Sequence, residues 1–360
     1  MISAYNGPLV VSFVDGEQYI INDGHAIYAS LRNGRIWISN ERGQIGLHER
    51  FTVRGFDSSA IVRLRPTSPQ NEAEARNYED LILMIADINR IKMINQIDEE
   101  RYIAGVVEAE AGHGHTQEFY KAKAIICRTY LYGNIERHQN EGFHLCDEVH
   151  CQVYRGQSRN RNIQSAVEST RNIIITAINS STPILAAYHS NCGGQTESSQ
   201  NVWQSSLPYL ITVIDPYCTS SPNARWQRTI PLNDWTAYMA RNGLIINPNA
   251  TADFSFQQPR RVLNYNVNNI SIPVRQIRTD WQLRSTFFSI TVEGGNVVLR
   301  GRGHGHGVGL CQEGAIEMGR RGFRHDEIIN FYYQNVRLIS ITELDIKIPE
   351  FVNHVNQELK

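Results

Sequence analysis

The hydrophobic pattern of the chain changes near residue 96. Before that position, short segments rich in β-branched and aromatic residues alternate with turn sequences such as DG and NG, which is typical of antiparallel strands. After it, apolar residues recur every three or four positions, as they do in helices. The sequence therefore predicts an α+β fold with a small antiparallel β-rich domain at residues 1–95, a mixed domain at 96–340 and a tail at 341–360. The predicted strand segments are LVVSFV, QYIIN, AIYASL, RIWISN, FTVRGF and IVRLRP.

Two segments interrupt this pattern. The stretch from Pro66 to Asp80 is polar, which predicts an exposed linker. A region at about 219–290 is rich in Asn and Gln and contains several tryptophans, so we expect an insertion with its own strands and one helix. Elsewhere, helices are predicted after Asp98, after Thr116, and at 164–171, 312–318 and 326–334, with further strands at 172–178 and 184–190.

Charge and composition exclude several classes of protein. The chain has 35 Lys and Arg against 36 Asp and Glu, a net charge of −1, so it lacks the basic field that nucleic-acid binding needs. Hydrophobic residues make up 41% of the chain, which argues against disorder. No apolar run approaches the roughly 18 residues of a membrane span, and the sequence shows no secretory leader. We expect neither a nucleic-acid partner nor a transmembrane segment.

The helix predicted after Asp98 carries a carboxylate on its apolar face. Asp98 is a suitable N-cap, and Ile103, Val106 and Val107 form an apolar stripe. Glu110 continues that stripe, within about 20° of Ile103 around the helix axis. Apolar surroundings disfavour the ionised form of a carboxyl group, and a protonated carboxyl group can act as a general acid. If the helix frays before Glu110, the side chain is simply solvated.

A second feature is a compact set of metal-ligand residues. Cys146 and Cys151 are separated by four residues, with His144 and His150 close to them and His138 upstream. Two thiolates and two imidazoles form a tetrahedral zinc set, and four protein ligands leave no open position for water. Zinc here would therefore be structural. The alternatives are a Cys146–Cys151 disulfide and two free thiols.

The segment 301–309, GRGHGHGVG, alternates glycine with other residues. Glycine allows positive φ and close approach of the backbone to a ligand, and a helix is predicted to follow. The segment lacks the features of a Walker loop and of a dinucleotide fingerprint, so no organic cofactor is expected. His304 and His306 offer metal ligands, but a two-residue spacing alone is weak evidence, and the alternative is a tight structural turn with one buried histidine.

The strand predicted at 184–190 ends in a polar segment with two glycines, residues 188–197. This segment contains His189, Ser190 and Glu197, the residue types of a serine hydrolase. However, no G-x-S-x-G elbow is present, and adjacent Ser and His side chains do not easily form a nucleophile–base pair. Sugar binding through these polar groups and Trp203 fits the sequence better.

These motifs together resemble the SpoIID/LytB family. The resemblance spans about residues 96–338, in the order of the family's motifs, and implies a mixed catalytic domain with helices around a cleft. It also implies a bacterial cell-wall lytic transglycosylase, a carbon–oxygen lyase, located outside the cytoplasm with its leader absent from this chain. The matching blocks are YIAGVVEAEAG, KAKAIICRTYLY, LCDEVHCQVYRG, YHSNCGGQTESSQNVW with LPYL, and GRGHGHGVGLCQEGA.

The resemblance also implies residue roles. Glu110 falls on the family's catalytic acid/base, and the Cys/His cluster on a zinc site with Cys146, Cys151, His150 and then His144, ahead of His138. Cys192 and Cys218 are a plausible disulfide if the protein is exported. AGHGH departs from the family's usual turn after the catalytic Glu, which puts the cleft wall there in doubt. The residues implied to line the glycan cleft are Arg128, His189, Ser190, Gln195, Thr196, Glu197, His306 and Gln312.

The expected reaction needs one carboxyl group. Glu110 would protonate the glycosidic oxygen between N-acetylmuramic acid and N-acetylglucosamine and then accept the proton of the muramic 6-hydroxyl, giving a 1,6-anhydro end. A hydrolase would usually need a second carboxylate, for which Glu197 is a weak choice. The alternative functions are a non-catalytic, wall-binding enhancer of an N-acetylmuramoyl-L-alanine amidase, and a metal hydrolase that uses His304 and His306.

Overall fold

The computed structural model describes residues 1–68, 71–203, 205–244, 254–268 and 270–344. These residues form two compact units, the first from 1–113 and 131–172 and the second from 114–130 and 173–344. Helices and antiparallel sheets occur together, which confirms the α+β class. The boundary expected at residue 95 falls inside the first unit, where strands give way to helices, and the predicted catalytic domain is divided between the two units.

The first unit begins with two antiparallel sheets. One has the strand order β11-β8-β1-β4-β5-β6 and the other the order β13-β12-β7-β2-β3, while β9 and β10 pair separately. The strands are β1 (Ile2–Tyr5), β2 (Leu9–Phe13), β3 (Gln18–Ile21), β4 (Ala26–Arg32), β5 (Arg35–Asn40), β6 (Gly43–His48), β7 (Arg50–Gly55), β8 (Ile61–Leu64), β9 (Thr67–Ser68), β10 (Asn71–Glu72), β11 (Arg76–Tyr78), β12 (Leu81–Asp87) and β13 (Arg90–Gln96).

These sheets form because each buries one row of β-branched and aliphatic side chains. Val11 pairs with Val53 across β2 and β7, and both side chains are fully buried, as are Ile36 and Ile38 of β5. Alternate residues of a strand point to opposite faces, so a single buried row fixes the register. The six strand segments expected from the sequence all form.

The expectation of an exposed linker at Pro66–Asp80 is wrong for its second half. Tyr78 is buried in β11, which pairs with β8. The carbonyl of Asn77 accepts a hydrogen bond of 2.7 Å from the backbone N–H of Gln157. The polar composition of the segment concealed this strand, because its two buried residues are an amide and a tyrosine. Residues 69–70 of the expected linker lie outside the described residues.

The first helix begins where the sequence predicts. The Asp98 carboxylate accepts from the backbone N–H groups of Glu100 and Arg101, which caps the helix. Ile103, Val106 and Val107 are fully buried. The helices up to residue 172 are α1 (Glu99–Ala111), α2 (Gln117–Gly133), the 3₁₀ turn Gln139–Glu141 and α3 (Arg161–Ser169).

The second unit has short sheets and a separate hydrophobic core. Trp235, Tyr265 and Ile290 belong to this core, which is built largely from the expected insertion. The described residues of that insertion form two helices rather than one, and its sheet also takes in β20, beyond residue 290. The elements are β14 (Ile173–Ala177), β15 (Tyr188–His189), α4 (Ser199–Trp203), β16 (Arg225–Pro231), α5 (Leu232–Arg241), β17 (Asn264–Val267), β18 (Ile270–Pro273), α6 (Val274–Asp280), β19 (Phe288–Glu293), β20 (Asn296–Arg302), β21 (Leu310–Cys311), α7 (Gln312–Arg320), α8 (His325–Tyr332), β22 (Val336–Ser340) and the 3₁₀ turn Ile341–Glu343.

The strand pairings of this unit are mostly antiparallel. β14 pairs with β22, β16 and β19 flank β20, and β17 pairs with β18, whereas β15 and β21 are parallel. In the part of the chain that the structure describes, no helix is long and apolar enough to cross a bilayer. The expected tail, apart from residues 341–344, lies outside the described residues.

Gly105 lets α1 approach a neighbouring loop closely. A Cβ atom at this position would lie 2.4 Å from the carbonyl oxygen of Gly156 and 2.5 Å from the Tyr154 ring. These distances are shorter than van der Waals contact, so a larger residue must push the loop away from the helix.

We expect Gly105→Ala to destabilise the protein by about 1–3 kcal/mol through overpacking. At an open helix position the same change would stabilise by about 1 kcal/mol, because alanine is the better helix former. Urea unfolding of both proteins measures the difference. A stability gain would show that the helix and the loop are not in close contact.

Candidate functional site

Glu110 is held at the end of α1 by one backbone hydrogen bond. The helix continues to Ala111, so it does not fray before this residue. The side chain is half-buried, and Oε1 accepts from the backbone N–H of Val153 at 2.9 Å. Within the described chain, Oε2 makes no hydrogen bond. One oxygen is therefore fixed, while the other is available to a ligand.

The other carboxylate near this end of α1 is fully engaged. Glu108 Oε2 accepts from the Ser158 hydroxyl and from the backbone N–H groups of Arg159 and Asn160, the latter two at 2.8 and 3.2 Å. These groups directly precede α3, whose N-cap is Asn160. Glu108 therefore anchors the start of a helix, a structural role that matches its position off the apolar face of α1.

The Cys/His cluster of the first unit forms a compact ligand set. The ligand atoms of His138, Cys146, His150 and Cys151 all lie within 4.8 Å of one another. Cys151 Sγ is 3.4 Å from His138 Nε2 and 3.7 Å from His150 Nδ1, and Cys146 Sγ is 3.8 Å from His150 Nδ1. Both cysteines are free thiols, so the Cys146–Cys151 disulfide considered from the sequence is not formed.

His138 takes the place in this set that the sequence assigned to His144. His144 is not among the four grouped residues, because the chain reverses through the 3₁₀ turn Gln139–Glu141 and brings the upstream histidine to the cysteines. The Nδ1 atom of His138 contacts the Glu141 carboxylate, which directs Nε2 at Cys151. A carboxylate on the outer nitrogen is usual for histidines that bind zinc.

The four residues fit a zinc ion. In a tetrahedral site with zinc–ligand distances of about 2.0–2.3 Å, neighbouring ligand atoms are about 3.3–3.8 Å apart. The three separations given above, 3.4, 3.7 and 3.8 Å, lie in or at the edge of that range. A metal held here by these residues would have no position left for water.

The ligand loop, the segment 138–151 that carries the Cys/His set, leads directly to Val153, whose backbone N–H holds Glu110. Cys151 donates its backbone N–H to Glu148 O, and Tyr154 donates to Asp147 O, so the chain closes on itself around Val153. Val153 lies two residues after Cys151 and next to Tyr154, which packs against Gly105. The position of the Val153 N–H therefore depends on the ligand loop.

In the second unit, the polar loop after β15 lies beside the Gly/His segment. Asn191 and His304 exchange two backbone hydrogen bonds, of 3.1 and 2.8 Å, and Glu197 N donates to Gly307 O. A Cβ atom at Gly309, where φ is +70°, would lie 2.1 Å from the carbonyl oxygen of Ala187. Glycine is required there because the two segments are in backbone contact.

A row of three rings extends from the interior of this unit towards its surface. His189 is buried, and its Nδ1 lies 3.1 Å from Val308 O. The ring of His306 lies 5.5 Å from His189 and 5.2 Å from Trp203, which is 39% exposed. Burial lowers the pKa of His306 to about 4 and the pKa of His189 well below its usual value. Both rings are therefore neutral at pH 7.

Two atoms in this region are acceptors without donors. His189 donates through Nδ1 to a carbonyl, so its Nε2 is an acceptor. Nε2 and the Oε1 atom of Gln312, which begins α7, are buried without a hydrogen-bond partner among the described residues. A buried acceptor without a donor costs free energy.

Several other residues expected to line a cleft have structural roles instead. Arg128 is fully buried, and its guanidinium donates to the carbonyl of Ile173, so it cannot line an open cleft. Thr196 is also buried, and its hydroxyl accepts from Val213 N at 2.7 Å. Glu197 is buried, and its carboxylate accepts from Ser198 N and Asn201 Nδ2.

Ser190 and Gln195 are half-buried and hold neighbouring segments. The Ser190 hydroxyl accepts from Asn223 Nδ2 at 3.3 Å. Gln195 accepts through its carbonyl oxygen from Arg261 Nε at 2.7 Å. His304 is exposed, and neither it nor His306 belongs to a group of three or more metal-ligand residues in the described part of the chain. Among the described residues, the metal-hydrolase alternative therefore finds no group of three or more ligands.

Comparison with known proteins gives a consistent result. The profile of the Stage II sporulation protein family, SpoIID, matches residues 87–176. Stage II sporulation protein D of Bacillus subtilis is 27% identical over 304 residues, which cover 78% of this chain and 87% of that protein. An uncharacterized protein of Brachyspira hyodysenteriae is 28% identical over 74% of each chain. The amidase enhancer of Bacillus subtilis is 28% identical over 66% of this chain and 40% of its own length.

Residues 87–176 match the SpoIID family, and most of the chain is similar to proteins named Stage II sporulation protein D and amidase enhancer. The segment matched to the SpoIID profile contains Glu110, Val153 and the whole of the Cys/His ligand set. The resemblance seen in the sequence motifs is therefore confirmed at the level of the family.

Two residues that organise the second unit, Arg261 and Glu313, had no role predicted from the sequence. Arg261 donates to the carbonyl oxygens of Gln195 and Cys192, each at 2.7 Å, and so fixes the loop after β15. Glu313 accepts from the side chains of Asn191 and Asn223. Arg261 lies in the insertion, outside every motif, and no sequence signal distinguishes it from its neighbours.

Acid should weaken this unit through His306. Its pKa is about 4 in the folded protein against 6.5 for the unfolded group. The unfolded chain therefore binds more protons between these values, and stability falls as the pH drops from 6.5 towards 4 and is constant above that window. In His306→Asn, the amide oxygen can accept the Val308 N–H in place of Nδ1. We expect the free energy of unfolding of this variant to fall by about 2 kcal/mol less than that of the wild type over the same pH range.

Urea unfolding at several pH values between 7 and 4 measures this difference. His189 is present in both proteins, and burial and the charge of a protonated His306 both lower its pKa, so both curves also contain the titration of His189. Identical pH dependence in the two proteins would contradict the burial of a neutral His306.

Proposed function

We propose that this protein is a peptidoglycan lytic transglycosylase in which Glu110 is the single general acid/base. The observation that carries the proposal is the environment of that carboxyl group. One oxygen is held by the Val153 N–H, the other has no partner within the described chain, and the side chain is half-buried. The same helix lies within the segment that matches the SpoIID family.

The reaction proceeds by two proton transfers at one group. Protonated Glu110 donates to the glycosidic oxygen as the bond from that oxygen to the anomeric carbon of N-acetylmuramic acid breaks. The resulting carboxylate accepts the proton of the muramic 6-hydroxyl, whose oxygen bonds to the anomeric carbon. The product is a 1,6-anhydro ring, no water is consumed, and Glu110 is again protonated. A carboxyl group with one oxygen fixed and the other available to the substrate suits both transfers.

The surroundings of Glu108 and Glu197, the two carboxylates compared with Glu110, argue against a hydrolase. Hydrolytic glycosidases generally use a second carboxylate as a nucleophile or to activate water. Glu108 accepts three hydrogen bonds at the start of α3, and Glu197 is buried and accepts two. Both are occupied by structural bonds, which leaves Glu110 as the favoured acid/base.

The ring row of the second unit is the proposed sugar-binding surface. Trp203 presents an exposed face, and His306 lies against it. Ser190, Gln195, Thr196 and Glu197 would shape this surface by holding its loops rather than by contacting the glycan.

We also infer that the Cys/His set of the first unit binds structural zinc. His138, Cys146, His150 and Cys151 would supply the four ligands. When bound, zinc would cross-link the loop and neutralise the two thiolates. Because this loop leads into Val153, the ion would fix the N–H group that holds Glu110.

The proposed site of action is the bacterial cell wall, outside the cytoplasm, with glycan strands as the substrate. A second candidate function is enhancement of a wall amidase without cleavage. It is favoured by the similarity to a protein named amidase enhancer and by the strands described between residues 2 and 96, which the proposed chemistry does not use.

Glu110→Gln should lower the cleavage rate by about 100- to 10,000-fold, the usual contribution of a general acid/base. Glutamine keeps an oxygen that can accept the Val153 N–H, but it cannot donate the proton. The measurement is mass spectrometry of anhydro-ended fragments released from peptide-free glycan strands.

Glu108→Gln is the matched control, because it makes the same chemical change on the same helix. It should retain cleavage within a few-fold and lose about 1 kcal/mol of stability. Cleavage by Glu110→Gln at the wild-type rate would contradict the assignment. Amidase stimulation that survives Glu110→Gln, in a wild type that cleaves no glycan, would favour the enhancer function.

The zinc inference predicts different results for the two neighbouring histidines. His138→Asn should lose the zinc of the first unit and lower the cleavage rate, whereas His144→Asn should keep both. Elemental analysis of the purified variants gives the metal content. Retention of this zinc by His138→Asn, with loss in His144→Asn, would restore the ligand set expected from the sequence.

A further inference from the structure

A second cluster of metal-ligand residues lies in the core of the second unit. It consists of Cys192, Asp215, Cys218 and Cys311, all fully buried. Their ligand atoms all lie within 4.8 Å of one another. The four residues come from three separate segments, namely the loop after β15, the segment 215–218 and the end of β21.

The distances in this cluster are too long for a disulfide. Cys192 Sγ lies 3.4 Å from Cys218 Sγ and 3.2 Å from Asp215 Oδ2. A disulfide bond measures about 2.05 Å, and all of these cysteines are free thiols. The cross-link between Cys192 and Cys218 that the family resemblance suggested is therefore not formed.

The same distances suit ligands around one ion. Tetrahedral zinc–sulfur bonds of about 2.3 Å place neighbouring sulfur atoms about 3.8 Å apart, and a carboxylate oxygen is slightly closer. A shift of a few tenths of an ångström would bring Cys192, Cys218 and Asp215 into that arrangement. A disulfide would require the two sulfur atoms to move together by more than an ångström.

The surroundings are built to hold negatively charged ligands. Cys311 caps α7, and its Sγ accepts from the backbone N–H groups of Cys192 and Gly314 at 3.3 and 3.4 Å. The Asp215 carboxylate accepts from Tyr217 N at 2.8 Å and from the Tyr332 hydroxyl at 2.9 Å. These donors orient the ligand atoms and offset part of the charge that three thiolates and a carboxylate carry.

We propose that Cys192, Asp215, Cys218 and Cys311 bind a second zinc ion, separate from the Cys/His set. Three thiolates favour zinc over magnesium, calcium and manganese, which prefer oxygen ligands. Four protein ligands fill the tetrahedron, so this ion is structural and has no position for water. It ties the loop that follows His189 to the start of α7, where Gln312 lies.

The inference is independent of glycan cleavage and is tested by counting metal and thiols. Wild-type protein, purified without chelator, should contain two zinc ions per chain by elemental analysis. Cys218→Ser and Cys146→Ser should each contain one, and the double variant none. Cys127→Ser is the matched control, because Cys127 is a buried cysteine of the same unit outside both clusters, and it should keep two.

Thiol titration in denaturant, with chelator and without reductant, should find all six cysteines free in the wild type. Four thiols and a cross-linked peptide joining Cys192 to Cys218 would overturn the proposal in favour of a disulfide. Two zinc ions retained by Cys218→Ser would overturn it as well.

A third measurement does not depend on how well Cys218→Ser folds. Zinc X-ray absorption of Cys146→Ser, in which this cluster is intact, should show three sulfur ligands and one oxygen ligand. A mixed sulfur and nitrogen environment, or no bound zinc, would contradict the proposal.

Discussion

The hydrogen bond from the Val153 N–H to the Glu110 carboxyl group is the contact on which the proposed chemistry depends. It fixes one oxygen at 2.9 Å and leaves the other unengaged within the described chain. An acid that must give a proton and then take one back needs a fixed position more than it needs a partner residue. The position of Val153 follows from the loop that ends at Cys151, so the ligand set and the proposed acid form one structural assembly in the first unit.

In the second unit, hydrogen bonds between distant segments hold irregular loops in place. Backbone hydrogen bonds join the loop after β15 to the Gly/His segment, and glycine at 309 makes the close approach possible. Arg261 and Glu313 satisfy groups on these loops that would otherwise be buried without partners. Burial of polar groups in such loops is tolerated only when each finds a partner, which explains why so many predicted ligand-binding residues are already engaged.

Features that depend only on residues close together in the sequence could be predicted from the sequence. The N-cap at Asp98, the apolar stripe that ends at Glu110 and the alternation in the β-strands all follow from spacing along the chain. Tertiary pairings were not accessible in this way. His138 replaces His144 because a 3₁₀ turn reverses the chain, and Arg128, placed in a cleft by the family motif, is buried against Ile173 O. Which of several polar side chains ends up inside depends on contacts between distant segments, and periodicity does not record them.

The most direct test of the central claim is a crystal structure of Glu110→Gln with a short peptidoglycan glycan. The account predicts a glycosidic oxygen within about 3 Å of the side-chain amide of residue 110, the distance that proton transfer requires. A well-ordered glycan whose glycosidic oxygens all lie beyond hydrogen-bonding reach of that side chain would contradict it.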